Sequence, residues 1–132
     1  PLAARGQAQA ATAGPVFQPV KGKAGLAAAL AQAGGRPLML DFYADWCIEC
    51  RKLEKETFDD PATAARLAGF VLLRADVTAN DDADKALLAS LSLFGPPAVL
   101  FYDRAGQEVR GQRLVGFEEP AAFGRRLAAI AP

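Results

Sequence analysis

Residues 38–44 (Leu-Met-Leu-Asp-Phe-Tyr-Ala) form a nearly continuous apolar run of strand length, and three residues later helical periodicity begins, from about Cys47 through Leu53 to Phe58. A run without in-and-out alternation is the pattern of a strand covered on both faces. Such a strand requires a sheet with helices above and below it. Residues 70–77 and 98–102 repeat the strand pattern, and the stretches between them are helical. The segment 16–20 reads as a short strand, and residues 25–33 as a helix stopped by Gly34-Gly35. Asp60-Pro61 supplies a cap and first-turn proline for a short helix ending at Gly69. The acidic cluster 80–84 opens a helix whose apolar face is Leu87, Leu88 and Leu91. Residues 103–106 form a turn, so residues 98–102 and a fourth strand over 108–115 make a hairpin. A last helix covers 120–130. The expected order is β-α-β-α-β-α-β-β-α, an α/β fold with a mixed central sheet between helical layers.

Composition narrows the chemistry. The 132 residues are 52% hydrophobic, enough for one domain with a real core. Residues 1–14 lack periodicity and are expected to be a flexible tail or linker, leaving 15–132 as the domain. A first residue of Pro1 is expected for a piece of something longer, and no segment reaches the ~18 apolar residues of a membrane span. Fifteen basic residues balance fifteen acidic ones, which gives no electrostatic footprint for nucleic acid. The absence of histidine excludes Ser-His-Asp and Cys-His nucleophiles and mixed Cys/His zinc sites. Two cysteines are too few for a four-thiolate metal site within one chain.

Those two cysteines sit at the strand-to-helix junction, in Trp46-Cys47-Ile48-Glu49-Cys50. Three residues of helical rise put both thiols on one face, within disulfide reach. So small a closed loop restrains the unfolded chain little, which argues for a redox pair over a staple. The helix N-terminus favours a thiolate at Cys47, the expected attacking sulfur, with Cys50 as the resolving one. Two unrelated core cysteines, or half of a metal site shared between chains, are the alternatives. A separate alternative is a non-enzymatic carrier of Cu(I) or zinc that uses Cys47 and Cys50 as its two thiolates.

The strand, the motif Tyr43-Ala44-Asp45-Trp46-Cys47-x-x-Cys50, the helix after it and a proline opening a late strand resemble thioredoxin. More narrowly, LMLDFYADWCIECRKLEKETF, then Asp76-Val77-Thr78-Ala79-Asn80-Asp81, GPPAVLFY, Gly106-Gln107-Glu108 and Val115-Gly116-Phe117 resemble the C-terminal thioredoxin-like domains of DsbD, the transmembrane thiol:disulfide interchange family. The likeness covers roughly residues 36–130. It implies a thioredoxin-like fold and a protein-disulfide reductase in the periplasm, part of a bacterial inner-membrane protein. Electrons would come from the membrane-embedded domain of the same parent and pass to its N-terminal domain. The other reading in this class is a stand-alone periplasmic reductant for cytochrome c maturation. No cofactor is implied beyond the Cys47-Cys50 disulfide, no metal, and no small-molecule ligand; the isolated domain is expected to be monomeric.

The resemblance also assigns residues. Asp41 stands in a run that otherwise reads as buried, where a charge must be neutralised or held by a partner; the family places an acid there beneath the active site, assisting proton transfer to the resolving cysteine. A strand-end aspartate facing water is the alternative. Glu54, four residues past Cys50, shares the helix face of the thiols, and the family has an acid near the disulfide; pairing with Arg51 or Lys55 is the alternative. Negative charge at Asp41, Glu54 and Glu49 opposes the thiolate and favours a good electron donor. Pro97 matches the family's cis-proline, with a trans turn as the alternative. Pro96 before it has no N–H to offer a docked chain. Partner contacts are expected at Trp46, Ile48, Glu49, Pro96 and Pro97. Phe42, Tyr43 and Phe94 read as core or wall aromatics.

Overall fold

The computed structural model describes residues 14–131. The tail expected over residues 1–14 lies outside them except for Gly14. In chain order the elements are β1 (Gln18–Pro19), α1 (Gly22–Ala31), β2 (Leu38–Tyr43), α2 (Ile48–Leu53) running into a wider π turn (Glu54–Phe58), α3 (Pro61–Leu67), β3 (Val71–Asp76), α4 (Asp82–Ser90), β4 (Ala98–Tyr102), a 3-10 turn (Arg110–Gln112), β5 (Leu114–Val115) and α5 (Pro120–Ile130).

The five strands make one mixed sheet in the order β1-β3-β2-β4-β5. β1, β3 and β2 are parallel, and β4 and β5 add antiparallel partners. The continuous apolar runs are explained by two cores, one on each face. Leu38, Leu40 and Phe42 of β2, with Ala98, Leu100 and Tyr102 of β4, point to the face covered by α1 and α4 through Leu26, Leu87 and Leu88. Met39, Val99 and Phe101 point the other way, to Leu53, Phe58, Leu67, Phe123 and Leu127 from α2, the π turn, α3 and α5. At 25 cal/mol per Å², each of these fully buried leucine or phenylalanine side chains contributes about 1.5–3 kcal/mol.

The caps read from the sequence are in place. Asp60 accepts from the Thr63 N–H at 3.1 Å with Pro61 in the first turn, and Asp81 accepts from the Asp84 N–H at 3.0 Å.

Two local expectations are corrected. The helix expected over 47–58 keeps α geometry only to Leu53; beyond it the Asp59 N–H reaches back five residues to the Glu54 carbonyl at 3.0 Å. The strand expected over 108–115 is broken. Tyr102 and Glu108 make an isolated bridge, and the chain leaves the sheet in the 3-10 turn around Gly111. It returns only for Leu114 and Val115 opposite Val99 and Ala98. Arg113 anchors this excursion by donating to both carboxylate oxygens of Glu108 (2.5 and 2.7 Å) and to the Leu91 carbonyl at 2.7 Å. Side-chain bonds there replace ladder bonds.

Candidate active site

The corner between β2 and α2 is built on backbone bonds. The Val77 N–H donates to the Tyr43 carbonyl at 2.7 Å, and the Cys47 N–H to the Ala44 carbonyl at 3.0 Å, which turns the chain sharply after the strand. Thr78 braces the loop twice: its Oγ1 accepts from the Asp45 N–H at 2.9 Å and its carbonyl from Trp46 Nε1 at 3.1 Å. Asp76 fixes Thr78 in turn, accepting from its N–H at 2.9 Å and from its hydroxyl.

Cys47 is the N-cap of α2, and its Sγ accepts from the Cys50 N–H at 3.1 Å. The two sulfurs are joined in a disulfide, with Cα atoms 5.3 Å apart. Cys50 points inward, its Sγ 3.7 Å from the Phe42 carbonyl. Both cysteines are buried, while Trp46 (58% exposed) and Ile48 (71%) stand out on either side and Glu49 is exposed. The peptide bond between Pro96 and Pro97 is cis. Pro97 leads directly into Ala98, which is paired with Phe42 on one side and Val115 on the other. Register therefore gathers the Pro96-Pro97 corner, Val115 and the disulfide at one end of the sheet. Phe94, expected as a core or wall aromatic, is fully exposed on the loop entering that corner, and Val115 is 70% exposed. Phe42 is buried as expected and Tyr43 is half-buried.

Beneath the corner lies a cluster of charge. Asp41 is buried in the middle of β2, on the face shared with Met39, so the water-facing alternative does not hold. Its neighbour in register on β3 is Arg74. Arg74 Nε donates to Asp41 Oδ2 at 3.0 Å and its Nη2 to Glu54 Oε1 at 2.5 Å. The partner of Glu54 is thus Arg74, in place of Arg51 or Lys55. The guanidinium also lies between two rings, 4.4 Å from Phe17 and 4.7 Å from Tyr43. Burial raises the Asp41 carboxyl to about 7, against the opposing pull of Arg74 and with a further push from Glu54. A carboxyl poised there exchanges a proton readily near neutrality.

Of the expected residues, Cys47 and Cys50 are joined, Asp41 and Glu54 meet at Arg74, and Trp46, Ile48 and Glu49 stand exposed beside the cysteines. Arg74 and Thr78 were not singled out from the sequence. Arg74 had a signal: it is the lone charge inside the buried run 70–75, as Asp41 is in 38–44, and two such charges in adjacent strands neutralise each other most cheaply as a pair. Thr78 had none beyond its place in the Val77-Thr78-Ala79-Asn80-Asp81 stretch. Among the described residues no group of three or more histidine, cysteine or acidic side chains is arranged to hold a metal ion. No helix among them is long and apolar enough to cross a membrane.

Comparison with known proteins agrees with this geometry. A thioredoxin-like family model matches residues 23–104. The chain is 52% identical over 99 residues, 75% of its length, to the thiol:disulfide interchange protein DsbD of Salmonella paratyphi A, and 50% identical over 118 residues, 88% of its length, to that of Ralstonia nicotianae. It spans only 18% and 19% of those proteins. Among solved structures, the oxidised DsbD C-terminal domain of Neisseria meningitidis superposes with a TM-score of 0.68 at 34% identity, covering 82% of this chain and 91% of that one. A buried disulfide at a strand-to-helix corner, a cis-proline entering the neighbouring strand and this degree of identity lead to one placement: the chain belongs to the thioredoxin-like family and, within it, to the C-terminal domains of the DsbD thiol:disulfide interchange proteins.

Proposed function

We propose that residues 15–132 form a protein-disulfide reductase domain that relays electrons within a larger membrane protein, with residues 1–14 as its linker. It would receive them from the membrane-embedded domain of its parent and pass them to the parent's N-terminal domain on the periplasmic side. The observation that carries the reading is the Cys47-Cys50 disulfide held at the β2-α2 corner, with a buried carboxyl in the strand that leads to it. The couple is its own electron store, so no cofactor is needed.

In the reduced domain the Cys47 thiolate attacks one sulfur of the partner disulfide. That bond breaks, the partner's second sulfur leaves as a thiolate and takes a proton, and a mixed disulfide joins Cys47 to the partner. Cys50 then gives its proton to Asp41 and attacks the Cys47 sulfur. The partner's first sulfur is released and protonated, and the domain is left with the Cys47-Cys50 disulfide. Two electrons have moved to the partner. Trp46, Ile48, Glu49, Pro96 and Pro97 supply the docking surface; Pro96 has only its carbonyl to offer an extended partner segment.

Trapping tests the assignment. Cys50→Ser is expected to accumulate a mixed disulfide through Cys47 with the N-terminal domain of its parent, detected as a reducible adduct. Adducts formed only by Cys47→Ser would reverse the roles, and a failure of the wild-type chain to reduce any protein disulfide would remove the function.

A further inference from the structure

We propose that Arg113 is a positioning residue for partner docking: it fixes the Leu91 carbonyl at the end of α4 and so sets the 92–97 segment, which presents Phe94 and the Pro96-Pro97 corner to a docked protein chain. The inference rests on the reductase reading above.

The segment needs an outside hold. α4 ends at Ser90, and the chain leaves it through Ser92 at φ 58°, a left-handed turn that glycine takes more readily. The Ser92 and Leu93 N–H groups donate back to the Ala89 and Leu88 carbonyls at 3.0 and 2.9 Å. Leu91 and Leu93 pack against the core, and Phe94 is the first large side chain to stand clear of it. From Phe94 to Pro97 no backbone–backbone hydrogen bond is made outside the sheet ladders among the described residues, and the two prolines have no N–H to give. The next fixed point is Ala98, already in the sheet between Phe42 and Val115. The segment is therefore held at its two ends, and Arg113 acts on the first.

Glu108 aims that contact. Its two oxygens take Nε and Nη2 of the guanidinium at 2.5 and 2.7 Å, and the planar fork then directs Nη1 to the Leu91 carbonyl at 2.7 Å. A lysine in place of Arg113 would keep the charge and lose the fixed third direction. The mount is itself anchored. Arg126 of α5, gripped by both oxygens of Glu118 at 2.9 and 2.7 Å, donates to the Gln112 and Arg113 carbonyls at 3.0 and 3.3 Å. The Glu118 carbonyl in turn accepts from Thr57 Oγ1 at 2.6 Å, in the π turn that continues α2. Two arginine forks in series thus run from the end of the cysteine helix to the loop that carries Phe94. They set the spacing between the two halves of the rim, with Trp46 and Ile48 on one and Phe94 on the other. A plain hairpin over 108–115 would have served the sheet alone; the excursion trades ladder bonds for this mount.

Steady-state reduction of insulin by the 132-residue chain, reset by dithiothreitol, separates docking from chemistry. Arg113→Gln should raise KM about five- to tenfold, the cost of ordering a loosened loop on docking, with kcat unchanged. Arg113→Lys, which keeps the charge beside Glu108, should recover most of the unfolding midpoint and still raise KM. A purely structural arginine would cost stability and leave KM in place. Amide exchange in the oxidised chain reads the loop itself: in Arg113→Gln the Leu93 N–H should lose more protection than the amides of the β2-β4 ladder, which follow global stability. A wild-type KM in Arg113→Gln overturns the proposal, as does one in Arg113→Lys should the glutamine variant fail to fold. Leu93 protection that changes only in step with the ladder overturns it too. A wild-type chain that reduces no insulin removes the reductase reading and the docking role with it, while Leu93 exchange still decides whether Arg113 holds the loop.

Discussion

The two sides of the disulfide are built from opposite materials. Above it, Trp46, Ile48, Phe94 and Val115 are exposed apolar side chains on the segments that enter and leave the corner. On the other side, the charged groups Asp41, Arg74 and Glu54 are joined to one another, with Asp41 buried in the middle of β2, the reverse of what solvent would select there. The rim adds little to stability, since its side chains gain little by folding. The underside carries a desolvation cost that only its internal pairing offsets. Features retained against such costs are where function is to be sought: recognition on the rim, proton handling beneath.

The strongest way to break this division is to neutralise the underside. Asp41→Asn is expected to slow reduction of both a protein disulfide and a small disulfide by roughly a hundredfold near neutral pH, the usual size of a lost general base. The same variant should change how stability depends on pH. A carboxyl whose folded value is raised contributes stability that is fully present below its unfolded value, near 3.8, and is lost as pH rises through about 7. Denaturant unfolding of the oxidised wild type should therefore show stability falling across that interval, and Asp41→Asn should flatten the fall. Equal slopes in the two proteins would place Asp41 outside the proton chemistry.

The rim should answer in the opposite way. Trp46→Ala combined with Phe94→Ala removes two exposed aromatics, and a loss of about 1.4 kcal/mol in docking corresponds to a tenfold slower reaction with the protein partner. Reaction with a small disulfide should stay within error, and the unfolding midpoint should fall by no more than the ~1 kcal/mol of the Trp46–Thr78 bond, because neither ring supports the core. A matching loss towards the small disulfide would show that the rim shapes the chemistry as well as the encounter.

The contrast also explains what could be read from the sequence. The two-sided core was legible because the apolar runs at 38–44, 70–77 and 98–102 report burial on both faces, and the cysteine pair because its spacing joins a strand to a helix. Asp41 was legible as an oddity, a charge where none should be buried. Its partner was not: Arg74 lies 33 residues away, and only the register of two parallel strands makes the two adjacent. Phe94 misled for the same kind of reason, since an aromatic near a proline pair reads as wall until the loop is seen to turn it outward. The break in the strand at 108–115 depended on Arg113 finding Glu108 and Leu91 at once, a choice that alternation along one segment does not encode.

Thr78 lies where the two regions meet, and it offers the finest test of their independence. Its hydroxyl oxygen accepts from the Asp45 N–H, whereas the Trp46 indole donates to its backbone carbonyl. Thr78→Val deletes the first bond, together with the hydroxyl's own bond to Asp76, and keeps the second. The loss should be about 1–2 kcal/mol of stability, that of two exposed hydrogen bonds whose orphaned partners water can still reach. Trp46 is the one tryptophan in the chain, so its emission reports the rim without interference. An unfolding midpoint lowered by this amount with unchanged emission would mean that the backbone alone holds the indole in place. A red-shifted emission would instead mean that the side-chain brace sets the rim, and that recognition and the loop beneath it are mechanically one unit.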